Sequence, residues 1–172
     1  MKLLLGIALA TFLMACEGPE GIPGPPGLDG LDGLDAPLPS VFQENVSFSF
    51  DIDSNTWFSN TLSYTGVADG DIFLVYISLG GGLYTPLPAS FFDEFGEYQY
   101  VFDHDINSVE LQIIGDSDLG GLDLASTENL PVRVAIMPAN LIGQFSDSDL
   151  LNLDTVLEIS GMSTEDIKVG VN

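Results

Sequence analysis

Four stretches of the chain place an apolar side chain at every second position. Val46, Phe48, Phe50 and Ile52 alternate with Ser47, Ser49 and Asp51. Tyr98, Tyr100 and Phe102 alternate with Gln99, Val101 and Asp103, and Val109, Leu111 and Ile113 with Glu110 and Gln112. Val132, Val134 and Ile136 follow the same rule before Pro138 closes the stretch. Successive side chains of a strand point to opposite faces, whereas a helix would scatter these residues around its circumference. The pattern demands sheet with one face on a core. Ile72-Phe73-Leu74-Val75-Tyr76-Ile77 is instead an unbroken apolar run, which predicts a central strand covered on both faces.

The punctuation fits short antiparallel strands. Residues 57–65 carry Trp57, Phe58, Leu62 and Tyr64 and are expected to pair with the first alternating stretch through Asp53-Ser54-Asn55. Ala68-Asp69-Gly70 is a turn signal, and Gly80-Gly81-Gly82 breaks the chain before an edge-like strand interrupted by Pro86. Residues 115–129, rich in Gly, Asp and Ser, read as a loop. One helix is expected late: Ser146-Asp147-Ser148-Asp149 resembles a capping box, Leu150, Leu153 and Leu157 follow at helical spacing, and Gly161 stops it. Ile167, Val169 and Val171 suggest a last strand. The fold expected for residues 40–172 is mainly β, an antiparallel β-sandwich or barrel-like fold of seven or eight strands with one C-terminal helix.

Ahead of that domain lies a different grammar. Gly18, Gly21, Gly24, Gly27, Gly30 and Gly33 recur at a period of three, as a collagen triple helix requires because only glycine fits its axis. Two readings stand, a short trimerising triple helix and an extended single-chain spacer. Only one triplet is Gly-Pro-Pro, and Asp29, Asp32 and Asp35 would bring like charges together without a lysine to pair them, which favours the spacer. At about 3.1 Å per residue it would reach roughly 50–60 Å.

The first residues read as a leader. Lys2 is followed by an apolar run over 3–15, shorter than the roughly 20 residues a spanning helix needs. The flank Glu17-Gly18-Pro19-Glu20 lacks the basic residues that hold a helix end on the cytoplasmic side. Leu13-Met14-Ala15-Cys16 resembles the lipobox of bacterial lipoproteins. That resemblance implies cleavage after Ala15, diacylglycerol on the Cys16 sulfur and acylation of the new amino terminus. One acyl chain binds a membrane only marginally, so stable anchoring takes two or more. Cys16 is the chain's one cysteine, so no intramolecular disulfide can form. The expected organisation is a lipoprotein signal peptide at 1–15, a lipidated cysteine with Gly-X-Y stalk and linker at 16–39, and an acidic domain at 40–172.

Charge narrows the partners. After the cut, Arg133 and Lys168 stand against 26 acidic residues, a net charge of −24. With no basic patch to displace counterions, nucleic acid is excluded as a partner, as is electrostatic adhesion to an anionic bilayer. Membrane contact is expected through the N-terminal lipid only. At 45 % apolar residues, with 11 Phe and 5 Tyr, the chain has ample material for a core despite its acidity.

Few residues carry chemistry. His104 is the only histidine; its neighbours Asp103 and Asp105 would point to the opposite face, so it reads as a solvated turn residue. Gly80-Gly81-Gly82 lacks the lysine of a phosphate-cradling loop. Asp51 and Asp53 begin like a calcium loop, but Thr56 stands where the turn glycine belongs and Leu62 where the closing glutamate belongs. Asp116 and Asp118, joined by Asp123, form the other calcium candidate. Trp57, Tyr64 and Tyr84 could form a sugar platform, with core packing as the competing role. Arg133 should face away from the core of Val132 and Val134 and pair with one of the many acids.

As a whole the chain resembles the collagen-like-repeat lipoproteins of Bacteroidota, on its lipobox, its Cys-Glu-Gly-Pro-Glu-Gly opening, its Gly-X-Y triplets and the acidic β-rich domain that follows. The segment from Pro131 through Asn140 and the leucine-rich helix after it fit the same group. Asp154-Thr155-Val156 resembles that group's O-glycosylation tripeptide. The resemblance implies an outer-membrane lipid anchor, on the periplasmic or the outer face, and supplies no catalytic residue. The expected function is non-catalytic, either envelope structure or interaction, with a calcium- or carbohydrate-binding module as the alternative. Self-association, if any, would run through the Gly-X-Y segment.

Overall fold

The computed structural model describes residues 39–94 and 96–170. The leader, Cys16, the Gly-X-Y repeat and Val171 lie outside the described residues.

Two sheets pack face to face. In the first, β1 (Ser40–Val46) and β5 (Ile72–Ile77) flank β10 (Leu130–Met137), all antiparallel. The short β6 (Thr85–Pro86) closes one edge, and β11 (Lys168–Val169) runs parallel to β1 along the other. The second sheet has the order β2 (Phe48–Asp51), β3 (Thr56–Ser59), β9 (Ser108–Gly115), β8 (Glu97–His104), β7 (Ala89–Phe92). The two-residue β4 (Leu62–Ser63) also pairs with β9. Two separate sheets make this a sandwich and not a closed barrel.

The first alternating stretch turns out to serve both sheets. Val46 ends β1 opposite Leu130, and Phe48 opens β2 opposite Ser59. Both inner faces look into one core, so a strand can change sheets at Ser47 without breaking its alternation. Val46, Phe48 and Phe50 all pack into that core. Ile52 does not; it lies beyond β2 in the hairpin turn and is 81 % exposed.

The stretch 57–65 is one strand by composition and two in the fold. Trp57 pairs with Ile113 and Phe58 with Gln112, but Leu62 pairs with Val109, so the β3–β4 side holds one residue more than β9. This bulge explains why Trp57 and Ser59 point inward at odd positions and Leu62 and Tyr64 at even ones. The Ser59 hydroxyl accepts the Leu111 N–H at 2.9 Å, replacing a backbone acceptor in a buried place.

The loop 115–129 is pinned to the sandwich. Leu119, in a single 3-10 turn, is fully buried in the core. Its carbonyl accepts the Trp57 indole N–H at 2.8 Å, and its N–H donates to the Asn55 side chain at 3.0 Å. The one-turn α1 (Leu124–Thr127) follows, its Ser126 carbonyl taking the Tyr100 hydroxyl at 2.6 Å.

The expected single C-terminal helix is divided. After α2 (Ala139–Ile142), α3 (Asp147–Leu150) begins in the capping box read from the sequence, with Ser146 and Asp149 bonding each other's backbone N–H. The chain breaks at Leu151-Asn152 and restarts as α4 (Leu153–Ile159) under the Asn152 cap. The break leaves the Leu150 carbonyl open, and the Tyr76 hydroxyl donates to it at 2.7 Å. Gly161 at φ +68° ends α4, with Met162 N–H on the Leu157 carbonyl and Gly161 N–H on that of Glu158. This is a Schellman turn, which a side chain at position 161 would strain.

These helices lie on the outer face of the first sheet. Leu153, Val156 and Leu157 pack on Val41, Tyr76, Ala135 and Met137. The first sheet is covered on both sides, as the unbroken run of β5 demands.

Candidate functional site

The calcium candidates do not come together. Asp51 closes its own turn, accepting the Ser54 hydroxyl at 2.7 Å and the Asp53 N–H at 3.2 Å. Those bonds hold its carboxyl below the usual carboxylate range, the Ser54 hydroxyl contributing most. Asp118 and Asp123 are N-caps, bonded to Gly120 N–H and Ser126 N–H at 2.9 Å each. Asp116 lines a separate pocket of ≈ 310 Å³ on the outer face of the second sheet, beside Glu97 and Gln99. Among the described residues no three of His, Cys, Asp and Glu form a group that could hold a metal ion.

The aromatic platform is not assembled. Tyr64 is buried in the inter-sheet core against Phe42, at a ring separation of 4.9 Å. Trp57 lies over Phe50 at 5.1 Å with its N–H on Leu119, and Tyr84 belongs to the outer face of the first sheet. His104 ends β8 exposed, its ring 5.2 Å from Phe73 and its Nδ1 on the Asp105 carbonyl at 3.2 Å, with neither neighbouring carboxylate orienting it.

Arg133 gathers the most specific set of side chains. The register of β1, β10 and β5 puts Gln43, Arg133 and Tyr76 in one row across the outer face. Arg133 Nε donates to Gln43 Oε1 at 3.1 Å, and the Tyr84 hydroxyl donates to the same oxygen at 3.3 Å. The guanidinium carbon stands 4.1 Å over the Tyr84 ring, a cation–π contact that fixes the plane of the fork. Gly80, Gly81 and Gly82, all at positive φ, carry the chain between β5 and Tyr84. The expected salt bridge is absent: among the described residues no carboxylate pairs with Arg133. Its partners are an amide oxygen from β1 and the ring face of Tyr84, in the loop just before β6.

A pocket of ≈ 200 Å³ opens beside it, between the glycine loop and the start of α4. Leu83, Tyr84, Arg133, Leu151, Asn152 and Asp154 line it. Leu83 and Leu151 are 77 % and 62 % exposed. Asn152 uses its carbonyl oxygen to cap α4, and Asp154 stands in the first turn of that helix.

A second polar pair was not visible in the sequence. Glu44 sits between Phe42 and Val46 on the inner face of β1, beside Gly170 at the sheet edge. Among the described residues, one of its carboxylate oxygens and the hydroxyl of the buried Tyr64 have no hydrogen-bond partner. Burial pushes the Glu44 carboxyl up, and burial together with the Glu44 charge pushes the Tyr64 hydroxyl up.

No family model, curated protein or solved structure matches the chain.

Proposed function

We propose that this chain is a bacterial lipoprotein, cleaved before Cys16, held in the outer membrane by acyl chains on that cysteine. It displays a non-catalytic β-sandwich on a short Gly-X-Y spacer, for an interaction or structural role in the envelope. The observation that carries the reading is Leu13-Met14-Ala15-Cys16, with the chain's one cysteine placed between an apolar leader and six Gly-X-Y triplets. A sandwich whose first strand opens at Ser40, after the proline-rich 37–39 segment, is consistent with a domain carried on a spacer. Surface charge supports lipid as the membrane contact, since a domain this acidic is repelled by anionic headgroups.

Mass spectrometry of the amino-terminal peptide from the full chain made in a bacterial host tests this. The account expects a peptide starting at Cys16 and carrying diacylglyceryl plus an amide-linked acyl chain. A peptide starting at Met1, or an unmodified Cys16, overturns it.

A further inference from the structure

The geometry points to the pocket beside Arg133 as a binding site for a small zwitterion. The ligand's carboxylate would sit on the Arg133 guanidinium, its ammonium on Asp154 and its apolar remainder against Leu83 and Leu151. This inference does not rest on the membrane anchor.

The guanidinium carries the argument. In a chain with 26 acidic residues, an arginine with no carboxylate partner among the described residues is held free of them by its surroundings. The Tyr84 ring supports its face and Gln43 takes its Nε, so neither contact uses the terminal nitrogens. A planar fork held in this way matches a carboxylate bidentately and gives up little side-chain freedom on binding. The Tyr84 hydroxyl donates to Gln43 as well, so a single amide oxygen ties the ring and the fork together.

The other walls decide which carboxylate. An anionic ligand would approach against the field of the whole domain, whereas a zwitterion has no net charge to be repelled. Asp154 lines the same small pocket and its carboxylate makes no hydrogen bond among the described residues, which leaves it for an ammonium. Two leucines exposed on the rim offer apolar contact that they lack in the free protein. At ≈ 200 Å³ the space lies below the roughly 300 Å³ at which drug-sized ligands begin, which suits a molecule the size of an aliphatic amino acid.

Calorimetric titration of the full-length chain tests the site with three probes. These are L-leucine, 4-methylpentanoate, which lacks the ammonium, and isoamylamine, which lacks the carboxylate. The expected result is saturable binding of leucine with Kd on the order of a millimolar or tighter, and at least about tenfold weaker binding of each truncated probe. Arg133→Gln and Asp154→Asn should each weaken leucine by about tenfold or more. Thermal melts identify any variant that fails to fold, and Asp154→Asn, which removes no hydrogen bond, then decides alone. No saturable leucine binding overturns the proposal. So does an Asp154→Asn chain that binds leucine as tightly as the unaltered one, or 4-methylpentanoate that binds as tightly as leucine.

Discussion

β5 buries Val75, Tyr76 and Ile77 in succession, whereas β9 buries Val109, Leu111 and Ile113 and leaves Glu110 and Gln112 at the surface. The two strands belong to different sheets, and the difference is that of the sheets themselves. The second sheet meets the core on one side and water on the other. Its outer face is tied by polar pairs such as Gln112 to Asp103 at 2.8 Å and Gln99 to Ser90 at 2.9 Å. The first sheet meets the core on one side and a helix layer on the other. That layer is made of short pieces, α2, α3 and α4, broken at Gly143 and at Leu151-Asn152. A layer of short pieces leaves seams, and the Arg133 pocket lies in one of them. The solvated face carries a pocket too, that of Glu97, Gln99 and Asp116, but none of the residues lining it is a cation; the zwitterion site proposed above therefore falls on the helix-covered sheet.

The comparison can be broken in the core first. Leu111→Ala, in the face shared by both sheets, should cost about 2–5 kcal/mol by urea unfolding. Gln112→Ala, one residue along on the solvated face, should stay within about 0.5 kcal/mol. Equal losses would mean that β9 is covered on both sides. Ser59→Ala should come next, at about 1–3 kcal/mol, because the Leu111 N–H loses its acceptor where water cannot replace it. A neutral result would show that the bulge closes onto another acceptor.

The helix layer offers a smaller effect with a pH signature. The Ser146 hydroxyl and then the Ser146 N–H hold the Asp149 carboxyl below its usual range. A depressed carboxyl stabilises the fold above its unfolded pKa, and that contribution is lost as pH falls through the folded value. Ser146→Ala should therefore lower Tm at neutral pH, and the gap to the unaltered chain should narrow under acid.

Glu44→Gln should produce the smallest change and the opposite sign. Burial raises the Glu44 carboxyl above 4.5, so its charged form weakens the fold at neutral pH. The variant should gain about 1–3 °C in Tm at pH 7 and nothing below the unfolded carboxylate pKa, where the native side chain is already neutral in both states.

How much was legible follows from the same contrast. The period of two revealed β8, β9 and β10, and the unbroken run of β5 revealed a strand covered twice, because both patterns are written on consecutive residues. The passage of the chain from one sheet to the other at Ser47 left no trace, since inward positions keep the same parity on either side. The bulge after Ser59 was hidden in a stretch that looked continuous, and β7 (Ala89–Phe92) is too short to show a period. The helix break at Leu151-Asn152 leaves the Leu150 carbonyl to the hydroxyl of Tyr76, 74 positions from Leu150. The site was the least legible part. Arg133 reads as a surface cation until strand register brings Gln43, 90 positions distant, beside it. The sequence predicts a salt bridge for its one arginine among so many acids, and only the third dimension removes it.

The unequal covering of the two sheets can be measured directly by NMR of the side-chain methyl groups in the presence of a dissolved paramagnetic relaxation agent. Val41, Ala135 and Met137 lie on the outer face of the first sheet under the helices, and Val101 and Ile114 on the outer face of the second. The account predicts strong broadening of Val101 and Ile114 and none of Val41, Ala135 and Met137. Broadening of Val41, Ala135 and Met137 to the same degree would contradict it.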